Sequence, residues 1–288
     1  MLSELLNFEE KFTEDLEKIV MVVDEMQKSK IDSNHPVSMP DTLRTGRDNF
    51  VACNLRNMHD LYKNTILVGI KKSLFNPEEM RNIFLEQRVK LKDLYVKYCR
   101  RHTMIQYIVR SNENYFGSLQ KLLGLKEDFK NLLNIPVLHL TRYHLFFDGL
   151  SKLSLDEQDT KIYKELYQIA KDISRNVNNV LALTRITRIP PDVNIFKQGD
   201  ISHRGSLECR VQLPKRSSSS SSRMRSSLKM RSLNISKKAD VKLVEVFLFD
   251  KSIVFCHNKG KTQLFGSSEE YKFWVRMCTD TLEVRDRS

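Results

Sequence analysis

The chain has 288 residues, 40% hydrophobic and 29% charged, enough for two modest domains of ordinary globular composition. It lacks an apolar run near the ~20 residues of a membrane span, a signal-peptide pattern at its start, and any CxxC pair among Cys53, Cys99, Cys209, Cys256 and Cys278, which argues against disulfide and zinc frameworks and for the cytosol. The net charge of +12 is uneven: residues 1–200 carry 30 Lys/Arg against 27 Asp/Glu and residues 201–288 carry 18 against 9, so the C-terminal part suits an anionic partner, either lipid headgroups or nucleic acid.

Long helices are expected through residue 189. Leu5, Phe8, Phe12, Leu16, Ile19, Val23 and Met26 alternate steps of three and four and place one apolar stripe on a first helix. A second is expected over Ile83–Val109, with Leu94, Tyr95, Tyr98 and Ile105 on its core face, and a third over Phe129–Leu150. The last is expected to be the longest, Thr160–Ile189, with the stripe Ile162, Leu166, Ile169, Ile173, Val177, Val180 and Leu183. At ~1.5 Å per residue it would reach ~45 Å. Pro190-Pro191 would end it, since proline supplies no amide donor and restricts its predecessor. Such helices joined by short loops predict an elongated bundle with no strand inside it.

Beyond Pro191 the pattern becomes strand-like at Ser206–Val211 and Leu243–His257, with Asp250-Lys251 as a tight turn. Between them Lys215 to Lys238 holds eight cations, no acid and the serine run Ser217–Ser222, a composition that predicts a disordered loop. Ser267–Glu283 reads as a closing helix whose Trp274, the only tryptophan, would pack in a core. Helices, then strands, then one helix predict a mainly α protein. The expected divisions are a helical domain at residues 1–190, a junction at 191–202 and a small β domain at 203–288.

The run Glu4-Leu5-Leu6-Asn7-Phe8-Glu9-Glu10-Lys11-Phe12-Thr13-Glu14-Asp15-Leu16 resembles the opening helix of Dbl-homology domains, with Phe8 in place of the usual threonine. Asn54-Leu55, Phe84-Leu85, Leu94-Tyr95-Val96-Lys97-Tyr98-Cys99, Tyr115-Phe116, Gln120, Gly124-Leu125, Pro136-Val137 and Thr141-Arg142-Tyr143 follow in the family's order. Val177-Asn178-Asn179, Asn194-Ile195 and Lys197-Gln198-Gly199 are similar to relatives of the Trio and Dbs type. Val246–Phe249, Ser252–Phe255 and Ser267-Ser268-Glu269 with Trp274 resemble a pleckstrin-homology domain. Two departures stand out. Ile135-Pro136-Val137-Leu138-His139 occupies the place of the usual Lys-Pro-Val-Gln-Arg, and the pleckstrin-homology part is too short to close its barrel.

The resemblance implies an elongated Dbl-homology bundle and a curtailed pleckstrin-homology domain. It also implies a guanine nucleotide exchange factor for Rho-family GTPases, a regulator that needs no covalent chemistry, cofactor or metal. It assigns Glu4 to the GTPase's first switch loop and Asn178 to a switch contact, with Asn179, His139 and Arg142 completing the GTPase-binding set. On the residues alone, Glu4 reads as a solvated carboxylate favoured by the helix dipole, and Asn179 as an exposed neighbour. His139 reads as a substituted surface position, with no acid or cysteine at metal-ligand spacing. Lys215, Arg216, Arg223, Arg225, Lys229 and Arg231 suit an anionic phospholipid at the inner face of the plasma membrane, and Ser226 and Ser232 suit basophilic kinases. The rival readings are a GTPase-binding scaffold without exchange activity, and nucleic-acid binding through Arg223–Arg231. The tract has no interleaved aromatics to stack on bases, which weighs against the second rival.

Overall fold

The computed structural model describes residues 1–210, 241–261 and 269–278. They form two compact units, Met1–Thr184 and Arg185–Ser288.

The first unit is helical. Its opening helix α1 (Leu2–Ile31) buries Leu5, Phe12, Leu16, Ile19, Val23 and Met26, so six of the seven stripe residues lie in the core and Phe8 is half-buried. Four short helices follow: α2 (Asp41–Arg44), α3 (Arg47–Ala52), α4 (Leu55–Leu61) and α5 (Leu67–Lys72). A π-helical turn at Tyr62–Ile66 joins α4 to α5. Helix α6 (Pro77–Ser111) starts six residues before the expected Ile83. There the Asn76 side chain accepts from the Glu79 amide, and Pro77 stands where an amide would find no partner. At 35 residues α6 is the longest helix, not the last one as expected.

Helix α7 (Glu113–Leu122) leads to a second departure. The expected helix Phe129–Leu150 is two pieces, α8 (Phe129–Leu132) and α9 (Ile135–Leu153). Pro136 is the reason, because its ring clashes one turn back and it has no N–H to donate. Side chains from α6 satisfy the broken backbone instead. The Tyr98 hydroxyl donates to the Leu133 carbonyl at 2.6 Å, and Gln106 Nε2 donates to the Lys130 carbonyl at 3.1 Å.

The final helix α10 (Glu157–Leu183) is capped by Asp156, whose side chain accepts from the Asp159 amide at 2.8 Å. It packs on α6 and α9. It ends before Pro190-Pro191 because Ile186–Thr187 leaves as strand β1, part of the second unit, where Ile186 pairs with Tyr271 and is buried. The expectation of no strand before residue 190 is thereby corrected. Pairing across the fold outweighs helix propensity at these two residues.

In the second unit β2 (Ile201–Arg210), β3 (Val241–Phe249), β4 (Ser252–Lys261) and β5 (Glu269–Cys278) join β1 in one sheet ordered β1-β5-β4-β3-β2. Among the described strands only the β1–β5 pair is parallel. Asp250-Lys251 makes the β3–β4 turn, as the sequence predicts. The expected closing helix is corrected over its described part: residues 269–278 are strand. Trp274 is half-buried there, stacked on the His257 ring at 4.9 Å, while the buried aromatic of that strand is Tyr271. Lys215, Arg216, Arg223, Arg225, Lys229, Arg231, Ser226 and Ser232 lie outside the described residues, as does the whole Lys215–Lys238 tract expected to be a disordered loop.

Candidate functional site

Three helices carry the polar residues singled out by sequence. Glu4 stands in the first turn of α1, exposed, its carboxylate 3.6 Å from the Met1 amino group. Arg142 on α9 is exposed, and its guanidinium lies 5.7 Å from the centre of the Phe8 ring of α1. Asn178 is exposed on α10. One turn before it, Ser174 Oγ donates to the Leu140 carbonyl of α9 at 3.2 Å. Helix α9 therefore packs on both α1 and α10. It touches α1 directly at Arg142, through Phe8, whereas no hydrogen bond or ion pair joins Glu4 to Asn178.

Two expectations are corrected. Asn179 is buried, not exposed, because the buried face widens at the end of α10, where Ala182 joins the stripe residue Leu183 three and four residues on. His139 is also buried, at 2% exposure, and presents nothing to a partner at the surface. Its ring lies between Phe12, at 3.5 Å between centroids, and Phe8, at 4.5 Å, both nearly parallel to it. Tyr62 and Tyr143 meet it edge-on at 5.3 and 4.9 Å.

The polar atoms of that ring are both used. Nε2 lies 3.0 Å from Glu9 Oε1, and Nδ1 lies 3.2 Å from the Tyr95 hydroxyl, which in turn is 2.9 Å from the Tyr62 hydroxyl. Glu9, Tyr62 and Tyr95 are fully buried, and Glu9 Oε2 and the Tyr143 hydroxyl have no hydrogen-bond partner. Burial pushes the phenols of Tyr62, Tyr95 and Tyr143 far above their ordinary range, with the Glu9 charge adding to the effect, so all three stay protonated. A carboxylate and an imidazole thus face each other inside an aromatic box between α1, α6 and α9.

Among the described residues no cluster of three or more His, Cys, Asp or Glu could hold a metal ion, and no helix is long and apolar enough to cross a membrane.

The family described as RhoGEF domain matches residues 1–178, most of the helical unit and more than half of the chain. This chain belongs to the RhoGEF domain family. Human Rho guanine nucleotide exchange factor 25 is 24% identical over 188 residues, covering 65% of this chain and 31% of the relative. Human proto-oncogene DBL is 23% identical over 235 residues, covering 81% of this chain and 23% of the relative. The chain therefore spans under a third of the length of these curated relatives. Among solved structures, an activated truncation of Vav1 aligns over 99% of this chain and 67% of that one, with a TM-score of 0.54 at 16% identity. The linker-DH/PH domains of p115-RhoGEF align over 94% of this chain and 78% of that one, with a TM-score of 0.52 at 13% identity. At such identities the likeness concerns the fold: a Dbl-homology bundle followed by a pleckstrin-homology-like sheet.

The sequence reading of this RhoGEF domain placed Tyr95 on a core face, gave Glu9 no role and passed over Tyr62. A signal was present. Glu9 lies four residues after Leu5 and three before Phe12, inside the apolar stripe, where a carboxylate needs a buried partner.

Proposed function

We propose that this chain promotes exchange of GDP for GTP on a Rho-family small GTPase, with the exposed Glu4, Arg142 and Asn178 forming the contact surface. The observation that carries this reading is the RhoGEF family match over residues 1–178. A factor of this kind makes and breaks no covalent bond. It binds the nucleotide-free GTPase most tightly, and by linkage it weakens nucleotide affinity by the same coupling free energy. Glu4 supplies a carboxylate for one switch loop and Asn178 an amide for the other, while Arg142 is steadied over Phe8. Burial of His139 and Asn179 gives them a supporting part beneath that surface. The basic segment around Arg223–Arg231 would hold the chain at anionic phospholipid on the cytoplasmic face of a membrane, and phosphate on Ser226 or Ser232 would weaken that attraction.

The test is release of a fluorescent GDP analogue from a panel of Rho, Rac and related GTPases. Stimulated release from at least one member is expected. A panel that binds the chain without accelerated release would replace exchange with a scaffold role.

A further inference from the structure

We propose that the cleft between α7 and the segment leading into α8 is a binding site for an acidic peptide. The peptide seats one aromatic side chain over Gly117 and sets its carboxylates against the surrounding cations. None of Glu4, Arg142 and Asn178 lines this cleft, so it is separate from the contact surface proposed for exchange.

The cleft has a volume of about 300 Å³. Its floor is apolar and firmly held: Phe116 and Phe129 are buried and stacked at 5.3 Å, with Val109 of α6 buried beside them. One face of α7 lines it, since Glu113, Phe116, Gly117, Gln120 and Lys121 follow the three-and-four spacing of a helix. Gly117, in the middle of that face, carries no side chain. A Cβ there would meet no atom within 4 Å, and its φ is not left-handed, so neither packing within the chain nor a turn calls for glycine. Glycine inside a helix lowers its stability relative to alanine. What its absence of a side chain provides is room for an outside group to lie on the bare face of α7, with half-buried Leu125 lining the same cleft.

The charges around the cleft set the sign of that group. Arg110, Lys121, Lys126 and Lys130 line it against Glu113 and Asp128. Asp128 is engaged within the chain, accepting from the Lys130 amide at 2.8 Å and lying 3.9 Å from Lys130 Nζ. Arg110, Lys121 and Lys126 are exposed and, among the described residues, form no ion pair. An apolar centre within an exposed charged rim is the arrangement of a surface that binds protein chains. A site for a small metabolite would instead aim precisely placed polar groups at its ligand from within the pocket. The volume, at the small end of the roughly 300–1,000 Å³ of ligand pockets, suits a single ring.

The experiment is fluorescence anisotropy of a fluorescein-labelled peptide, Asp-Glu-Asp-Phe-Glu-Asp, titrated with the full chain, with thermal melting recorded for each variant. The parent should bind it, and the same peptide with alanine for phenylalanine should bind at least about tenfold more weakly. Gly117→Leu should weaken binding about tenfold while melting no lower than the parent, because leucine is the better helix former. Lys126→Glu should weaken binding roughly threefold to tenfold, and Glu113→Gln should tighten it about twofold. Should Gly117→Leu melt below the parent, these two exposed positions decide. No binding by the parent overturns the proposal, as does equal affinity for the alanine peptide. Binding unchanged in Lys126→Glu and Glu113→Gln assigns the peptide to the cations of residues 215–238 and also overturns it. Phenyl phosphate or an oligothymidylate that competes at the peptide's own affinity would replace the peptide with a small anion or a nucleic acid. Stimulated GDP release tests the exchange reading separately, and neither result decides the other.

Discussion

Replacing Tyr98 with phenylalanine would test how the α8–α9 break is sustained. The ring of Tyr98 is fully buried, and its hydroxyl gives a 2.6 Å bond to the Leu133 carbonyl. Leu133 is itself buried and lies in the break between α8 and α9, where its carbonyl is outside the regular i to i−4 bonding of either helix. Phenylalanine keeps the ring and opens almost no cavity, so the loss is confined to one buried hydrogen bond and one carbonyl left bare. That combination costs about 1–3 kcal/mol. For a cooperative unit of this size each kcal/mol lowers Tm by roughly 2–4 °C, so a drop of roughly 2–12 °C is expected. Circular dichroism at a helical wavelength reads the first unit, because the described part of the second is largely sheet. A Tm unchanged within ~1 °C would refute the claim that this side chain stands in for the missing backbone donor.

Glu4→Ala and Asn178→Ala should each slow stimulated GDP release roughly tenfold to a hundredfold, as expected for a lost charged or polar contact of ~1.5–3 kcal/mol, with Tm nearly unchanged. A parallel loss of Tm would make them structural residues instead. Gly199 has φ of +98° and a Cβ there would run into the Asp250 carboxylate, so Gly199→Ala should destabilise the sheet unit by about 1–3 kcal/mol in urea unfolding followed by Trp274 fluorescence. His35 Nε2 is 2.8 Å from Glu25 Oε1; that bond raises the histidine's pKa, while Glu25 is lowered chiefly by its bond to Lys28 and then by His35. The His35 contribution is therefore full below histidine's ordinary pKa and is lost as pH rises through the raised folded value. Glu25 contributes above its ordinary pKa and loses that contribution on acidification. His35→Gln should flatten the alkaline limb of a Tm-against-pH curve and leave part of the acid limb, which Lys28 sustains.

The helical periodicity of α1 and α10 was legible because each stripe is long and meets a single core; of the named stripe residues only Phe8 and Ile169 are half-buried. The errors fall where a local pattern met a distant partner. Ile186 and Thr187 read as helix until β5 is there to pair with them. Tyr271, Phe273 and Val275 alternate in strand fashion, yet Tyr271, Trp274 and Cys278 also fit a helical face. A ten-residue run cannot separate the two periods. The break before α9 was visible in Pro136, but the Tyr98 hydroxyl that makes the break stable lies 35 residues away in sequence. At the contact surface, Glu4, Arg142 and Asn178 came from family resemblance. The Glu9–His139 pair instead required the fold, since 130 residues separate its members.

The place where α10 gives way to β1 also decides how the chain can be dissected. Pro190-Pro191 looks like a natural scissile point, yet a fragment ending there would carry Ile186, which the second unit buries against β5, as a bare apolar tail. The complementary fragment would lack the parallel edge strand β1 and expose the backbone of Tyr271 and Lys272 on that side. Cleavage between Thr184 and Arg185 divides the two units without that damage. Even there the Arg185 carbonyl, which accepts from the Tyr271 amide, must stay with the sheet.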